Sequence, residues 1–200
     1  MTRFLAIVFS FCLLLCGCQQ KAAAPVAAAP VFSNTDVTGL EYAKDFSLKD
    51  FNGKLRTMAD FKGKAVVIFF GYTQCPDVCP TTMSDLGNMM KQLGPLADKV
   101  QVLFITVDPE RDTPELLSKY VPAFDPRFLG LRGDLAETAN VAKDFKVFYQ
   151  KVPGKEPGSY SMDHTAGMYV YDPAGHIRLF ARSSEGPDNL VHDLKILLGS

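Results

Sequence analysis

The chain has 200 residues, of which 47% are hydrophobic and 22% are charged. These proportions allow a sizeable buried core and suit one globular domain without requiring a second. The formal net charge of -1 provides no basic field that would gather nucleic acid, so a nucleic-acid-binding function is not expected.

The amino terminus predicts export as a lipoprotein. Arg3 precedes an apolar run at residues 4–15 that is too short to span a bilayer comfortably, which is typical of a secretory signal. Residues 15–18 (LCGC) then resemble the bacterial lipobox, in which a small residue precedes the cysteine that receives lipid. We therefore expect a lipoprotein signal peptide at residues 1–17 and a lipidated Cys18. An ordinary signal peptide or an uncleaved anchor is the alternative.

Residues 18–44 are predicted to form a flexible tether between this lipid and the folded domain. The stretch from residue 19 to about residue 30 is rich in alanine and proline, and it has too few bulky side chains to order itself. We expect the protein to be lipid-anchored to the membrane in the bacterial cell envelope, with its domain on the periplasmic or extracytoplasmic side.

The cysteine count changes if the signal peptide is removed. Cleavage would take away Cys12 and Cys16, and lipid would block Cys18, so only Cys75 and Cys79 would remain free. A disulfide-stapled scaffold would use several bridges. The remaining pair is therefore expected to be reactive or metal-binding.

The domain is predicted at residues 45–200 and begins with a β-hairpin around the turn signal Asn52-Gly53. The continuous apolar run at 65–71 (AVVIFFG) is typical of a strand that is buried on both faces. A helix from Pro80 to about residue 94 and a second buried strand at 100–107 follow. Strand, helix and strand in this order indicate a right-handed parallel crossover.

The rest of the domain alternates helices and strands. We predict a helix that starts between 109 and 113 and ends near 121, a helix at 135–145 and a strand at 147–151. A hairpin is expected at 166–171 and 176–181, because the residues between them (DPAG) suit a type I turn. A helix at 187–198 closes the chain. This element order is that of an α/β, thioredoxin-like fold with a central mixed sheet flanked by helices and an N-terminal β-hairpin extension, although periodicity alone supports only an α/β sandwich.

The segment 75–80 (CPDVCP) lies between the first buried strand and the first helix. Both sulfurs are expected in the loop or in the first helical turn, where free amide hydrogens and the helix dipole favour thiolates. Two thiolates on a short loop can close a disulfide or chelate a soft metal ion, and their spacing does not choose between these. A purely stabilising disulfide is disfavoured, because so small a loop removes little chain entropy.

His164 is the third candidate, in the segment 160–165 (YSMDHT) just before the predicted hairpin. A lone histidine is more often a surface or core residue than a metal ligand. In a thioredoxin-like sheet, however, the loop before the hairpin packs beside the cysteine loop. A ring nitrogen there can join two thiolates in a donor set that suits copper.

Three motifs together resemble the Sco/SenC family. They are CPDVCP at 75–80, VDPERDTP at 107–114 and YSMDHT at 160–165, and they occur in the order found in that family. The similarity extends from about residue 45 to the C-terminal helix. Many relatives are held by a transmembrane helix, whereas this chain is expected to use lipid.

The resemblance implies a thioredoxin-fold protein that binds copper, Cu(I) and Cu(II), through Cys75, Cys79 and His164. It also implies help in assembling the binuclear copper centre of cytochrome c oxidase subunit II, which is the expected partner. Other periplasmic copper chaperones or thiol reductants are further candidate partners.

Two enzymatic alternatives use the same cysteines. In a thiol-disulfide oxidoreductase, Cys75 and Cys79 would form a redox-active pair, in which one thiol attacks and the other resolves the mixed disulfide. Thioredoxins have two residues between their cysteines and a proline before the hairpin, whereas this chain has three residues and the pair His164-Thr165. A thiol peroxidase is less favoured, because the chain has no Trp and a low thiolate pKa alone does not make a peroxidase.

Four aspartates near these motifs have open roles. Asp108 and Asp112 are interpreted mainly as caps at the start of the helix predicted after residue 109, although the resemblance raises the chance that they influence the site. Asp77 and Asp163 are candidates for outer-shell partners or a weak fourth ligand, and the sequence does not choose between them.

Overall fold

The computed structural model describes residues 31–200. The predicted signal peptide, Cys18 and the tether up to residue 30 lie outside the described residues. The strands are β1 (Thr35–Asp36), β2 (Leu48–Asp50), β3 (Leu55–Arg56), β4 (Ala65–Gly71), β5 (Val100–Thr106), β6 (Leu129–Arg132), β7 (Tyr149–Pro153), β8 (Tyr160–His164), β9 (Gly167–Tyr171) and β10 (Ile177–Arg182). The helices are α1 (Val78–Leu93), α2 (Pro114–Tyr120), α3 (Leu135–Asp144) and α4 (Pro187–Leu197).

Eight strands form one twisted sheet in the order β1-β10-β9-β4-β5-β6-β2-β3. The β4–β5 and β5–β6 pairs are parallel and the other neighbours are antiparallel, so the sheet is mixed as predicted. Every residue of β4 is buried, which explains its continuous apolar sequence. Strands β7 and β8 form a separate two-stranded ribbon.

The unit β4-α1-β5 has the predicted crossover order. Helix α1 begins two residues before Pro80 and turns an apolar stripe toward the core, consisting of Met83, Leu86, Met89, Met90 and Leu93. The helix ends at Gly94, whose φ of +55° is a backbone conformation that suits glycine. The predicted β2–β3 and β9–β10 hairpins are also present.

Helix α2 begins at the C-terminal limit of the predicted range, but the interpretation of Asp108 and Asp112 as its caps is wrong. The N-cap is Thr113, whose side chain accepts a hydrogen bond from the Leu116 N–H, and proline follows at the first helical position. Asp108 and Asp112 therefore do not cap this helix. Both carboxylates are buried and are bonded to other segments, as described below.

Some strands give weak sequence signals. Strand β6 was not predicted, because it has only four residues and two of them are half-buried. The segment that carries His164 was expected to be a loop but forms β8. Among residues 31–200, no helix combines the length and the apolar character needed to cross a membrane.

The N-terminal boundary of the packed region lies before the predicted residue 45. The backbone N–H groups of Ser33 and Asn34 donate to the buried carboxylate of Asp193 over 2.7 and 2.8 Å. Strand β1 pairs with β10, and Ala43 is buried. Residues 33–44 thus lie against the domain.

Candidate metal centre

The two cysteines lie where β4 runs into α1. Cys75 is half-buried in the connecting loop, Cys79 is buried in the first turn of the helix, and both are free thiols. The N-cap residue Asp77 makes no side-chain capping bond. Instead, the Cys79 N–H points at the Cys75 sulfur, 3.4 Å away, so that this sulfur accepts from one of the free amides at the helix start.

His164 lies at the end of β8 and reaches the cysteine loop from the ribbon. Its Nε2 lies 3.5 Å from the Cys79 sulfur. Its Nδ1 lies 3.1 Å from the carbonyl oxygen of Thr165, which can only accept a hydrogen bond, so Nδ1 carries the proton. In the neutral ring, Nε2 is then left with a lone pair that faces the sulfur.

Aromatic rings hold the imidazole in place. The rings of Tyr72 and Phe69 meet it edge-on, with centroids 6.0 and 6.2 Å away. Tyr72 is also near enough to Cys75 for its side chain to help lower the pKa of that thiol. Tyr72 therefore lies beside two of the three candidate ligands.

The two thiols differ in acidity. Burial raises the pKa of Cys79 far above its ordinary value. Burial also opposes ionisation of Cys75, but hydrogen bonds from the backbone N–H groups of Asp77 and Cys79, with further bonds from the Cys79 and Tyr72 side chains, outweigh it and lower the pKa of Cys75. Burial lowers the pKa of His164 and so favours the neutral ring, which is the form that binds metals.

The end of β4 approaches Cys79 closely. A Cβ atom at Gly71 would lie 3.1 Å from the Cys79 sulfur and 2.9 Å from the Phe104 ring. Any side chain at this position would therefore require the Phe104 ring and the Cys79 sulfur to shift. The sequence offered no signal for this contact, because Gly71 is simply the last residue of an apolar run.

Asp112 connects the loop between β4 and α1, which carries Cys75, to the end of β5. Its buried carboxylate accepts from the Thr73 hydroxyl over 2.6 Å and from the Thr73 N–H over 3.1 Å. It also accepts from the Thr106 hydroxyl over 2.6 Å. Asp112, in the segment that follows β5, thus holds the start of the Cys75 loop in place by hydrogen bonds and does not cap a helix.

The three predicted ligands do not yet form one compact cluster. Cys79 and His164 are within contact distance, and Cys75 contacts the backbone of Cys79. No group of three or more His, Cys, Asp or Glu side chains in residues 31–200 already has an arrangement that could hold a metal ion. Asp77 and Asp163 are exposed, and no hydrogen bond in the described part of the chain joins either carboxylate to the three residues.

The donor chemistry nevertheless fits a soft metal ion. Protein ligands bind metals at about 2.3 Å through sulfur and about 2.0 Å through imidazole nitrogen. Two such donors on one ion lie roughly 3–4 Å apart, which matches the separation of the Cys79 sulfur and His164 Nε2. Thiolate and imidazole together suit copper.

A family model described as SCO1/SenC matches residues 35–199 of the chain. The chain belongs to the SCO1/SenC family. The family resemblance inferred from the three motifs is thereby confirmed. The match begins at β1, which agrees with the packing of residues 33–44 against the domain.

Curated and solved members of the SCO1/SenC family are similar to this chain. The mitochondrial SCO2 homolog of Bos taurus is 44% identical over 133 residues, which cover 66% of this chain and 50% of that protein. The chain thus spans about half the length of this relative. The structure of Bradyrhizobium japonicum ScoI with copper bound is 45% identical, has a TM-score of 0.71, and is matched over 77% of this chain and 98% of that one.

A third relative is a SCO1/SenC family lipoprotein from Bacillus anthracis. Its crystal structure is 25% identical, with a TM-score of 0.69, over 84% of this chain and 99% of that one. These structural likenesses agree with the mixed sheet flanked by helices, and the predicted thioredoxin-like fold is confirmed.

Proposed function

We propose that this protein is a copper chaperone that binds copper through Cys75, Cys79 and His164 and delivers it to the binuclear copper centre of cytochrome c oxidase subunit II. The observation that carries the proposal is the 3.5 Å approach of His164 Nε2 to the Cys79 sulfur, between residues 85 positions apart. Membership of the SCO1/SenC family and the copper-bound ScoI structure support it.

The donor set explains why copper is the expected cargo. Thiolates select Cu(I), and an added imidazole makes Cu(II) acceptable as well. Structural zinc sites are usually closed by four ligands, whereas this site offers three donors and leaves one side open. An open side lets the ligands of a receiving protein approach.

The different exposures of the cysteines suggest how the metal leaves. Cys75 lies half-buried at the surface of the site, and Cys79 is fully buried behind it. A partner's thiolate or imidazole would therefore displace Cys75 first, while Cys79 and His164 still hold the ion. Transfer would be completed by exchange of the two inner ligands.

The proposed location follows from the predicted terminus. We propose that lipid on Cys18 anchors the protein in the bacterial cell envelope and that the domain lies on the extracytoplasmic side. The relative from Bacillus anthracis is described as a lipoprotein, which supports this mode of attachment. Since residues 33–44 pack on the domain, the tether would be shorter than residues 18–44.

A thiol-disulfide oxidoreductase remains a second candidate, because the two thiols are unequal. Cys75 is accessible and has a lowered pKa, as an attacking thiol should, while Cys79 is buried beside it. Cys75 would attack a disulfide in the oxidase subunit, and Cys79 would then displace the reduced product. The Cys75–Cys79 disulfide left behind would need an external thiol reductant.

Anaerobic titration of the reduced protein with Cu(I) and with Cu(II) tests the proposal. We expect one copper per chain, and we expect His164→Ala to weaken Cu(II) binding by about 100-fold or more, since loss of even an outer-shell partner costs 10–100-fold. His176→Ala is the matched control, because His176 is exposed at the β9–β10 turn. Unchanged Cu(II) affinity and spectrum in His164→Ala would rule out the histidine ligand.

Two assays separate the candidate functions: copper transfer to the soluble domain of subunit II, and reduction of insulin disulfides in the absence of copper. A chaperone should transfer copper and should reduce insulin slowly. Rapid insulin reduction without copper, together with no copper transfer, would favour the oxidoreductase.

A further inference from the structure

Arg111, in the segment VDPERDTP, contacts both parts of the chain that carry the candidate ligands. Its guanidinium donates to the Gln74 side chain over 3.2 Å, next to Cys75, and lies 5.7 Å from the centre of the Tyr72 ring. On the other side, it donates to the Tyr160 carbonyl over 2.8 Å. One side chain therefore bridges the cysteine loop and the first residue of β8.

Tyr160 holds this bridge through its ring and its hydroxyl. The guanidinium of Arg111 stacks over the Tyr160 ring, with its carbon 3.6 Å from the ring centre. The Tyr160 hydroxyl donates to Asp108 over 2.9 Å, and Asp108 also pairs with Arg111. Asp108, Arg111 and Tyr160 thus form a closed set of contacts, which we call the clamp.

Besides the clamp, an ion pair between Lys151 of β7 and Glu110 joins the ribbon that carries His164 to the segment after β5, and its charged groups are about half exposed. Strands β7 and β8 pair with each other and not with the main sheet. Four of the five residues of β8 are exposed or half-buried, and only Met162 is buried. At the His164 end, the Thr165 N–H donates to the carbonyl of Phe148, the residue before β7, so this bond extends the ribbon and does not join it to the main sheet. At the other end, the clamp connects the ribbon to the segment after β5.

We infer that Arg111 and Tyr160 are positioning residues that hold the His164 ribbon against the cysteine loop. The inference rests on the proposed function, in which His164 and the two cysteines must act on one copper ion. Neither residue is a ligand. Their role is to limit movement of β8, so that the imidazole stays beside the Cys79 sulfur when no metal is bound.

Loss of the clamp should weaken Cu(II) binding more than Cu(I) binding. Cu(I) is bound mainly by soft thiolates, whereas the imidazole strengthens the binding of Cu(II). Displacing His164 therefore weakens the Cu(II) complex selectively. Loss of an outer-shell partner typically lowers metal affinity by 10–100-fold, and we expect a decrease of about this size for Cu(II) in Tyr160→Leu.

Three variants of the full-length protein test the clamp. Tyr160→Leu removes both the ring and the hydroxyl. Tyr160→Phe keeps the ring under Arg111 but removes the hydrogen bond to Asp108. Phe32→Leu is the matched control, since Arg178 lies over the Phe32 ring, at 5.5 Å, in the N-terminal segment. Cu(II) affinity should fall most in Tyr160→Leu, less in Tyr160→Phe and not at all in Phe32→Leu.

A double-mutant cycle with His164→Ala shows whether Tyr160 acts through the histidine. If it does, Tyr160→Leu lowers Cu(II) affinity only in the chain that retains His164. An equal decrease in the His164→Ala background would overturn the inference, because the tyrosine would then support the fold or another ligand.

A metal-free measurement separates this inference from the proposed function. In the reduced protein, the Tyr72 and Phe69 rings should displace the NMR signals of the His164 ring protons from their ordinary positions. Tyr160→Leu should move these signals toward the free-imidazole values, and Phe32→Leu should not. Unchanged signals in Tyr160→Leu would refute the clamp even if copper binds. If the protein binds no copper, the proposed function fails, and these NMR signals alone test whether the clamp positions His164.

Discussion

Gly71 packs directly against the sulfur of Cys79. A Cβ atom at this position would lie 3.1 Å from that sulfur, which is closer than ordinary van der Waals contact. The last residue of β4 therefore determines how deeply the buried thiol can sit at the start of α1. Strand and helix therefore meet here over a contact that a larger residue could make only if the sulfur and the neighbouring rings shifted.

Replacing Gly71 by alanine should therefore move the Cys79 sulfur. We expect Gly71→Ala to lower the free energy of unfolding by about 1–3 kcal/mol, as overpacking of a core typically does, and to weaken copper binding. Chemical denaturation and copper titration measure the two effects. Gly130→Ala is the control, because an added Cβ there also lies 3.1 Å from a side-chain atom, Cγ2 of Val121. Equal copper affinity in the two variants would contradict the expectation.

The sequence predicted the parts of the fold that have long, regular patterns. Strand β4 is a continuous apolar run, and α1 repeats buried residues at helical spacing, so both were found. Strand β6 was missed because four residues are too few to establish a period. The family was also predicted, because three separate motifs occur in one order.

The support of the candidate site could not be predicted in the same way. Gly71, Tyr72 and Thr73 approach residues far along the chain, which are Phe104, His164 and Asp112 respectively, and such contacts exist only after the sheet has formed. Asp112 precedes a helix and has a capping residue type, which led to the wrong interpretation. Thr113 next to a proline is the stronger start signal, and it leaves Asp112 free to bond Thr73.

The buried carboxylate of Asp112 should make stability depend on pH. Burial raises its pKa above the ordinary value and outweighs the hydrogen bonds from Thr106 and Thr73 that lower it. A carboxyl whose pKa is raised on folding contributes stability that is complete below its unfolded pKa of about 3.9 and is lost as the pH rises through its folded pKa.

Comparison with Asp112→Asn isolates this contribution. As the pH rises from about 4 to neutrality, the free energy of unfolding of the wild-type protein should fall relative to that of the variant. Urea denaturation at a series of pH values measures the difference, with Asp98→Asn as a control, because the Asp98 side chain is 83% exposed. A difference that stays constant with pH would show that Asp112 has no raised pKa.

The buried carboxylate of Asp193 should hold the N-terminal segment on α4. It accepts from the N–H groups of Ser33 and Asn34 and from the Asn34 side chain, over 2.7–2.8 Å. Asp193→Ala leaves these donors without an acceptor, and we expect a loss of about 1–3 kcal/mol in the free energy of unfolding. Limited proteolysis should then cut residues 31–40 first. Asp188→Ala is the control on the same helix, because Asp188 makes one exposed bond, to Gln92.

Alkylation of the reduced, metal-free protein should distinguish the two thiols. Cys75 is half-buried and its pKa is lowered, whereas Cys79 is 0% exposed and burial raises its pKa, so the thiolate that iodoacetamide can reach is that of Cys75. Peptide mapping by mass spectrometry should find Cys75 modified first and Cys79 modified only after denaturation. Cys75→Ser should leave residues 31–200 of the native protein almost unreactive. Equal rates at the two cysteines would contradict the assignment of Cys75 as the accessible, more acidic thiol.

Tyr72→Phe should slow the alkylation of Cys75 at neutral pH. The Tyr72 side chain helps to lower the pKa of Cys75, so less of the thiol is ionised when the hydroxyl is removed.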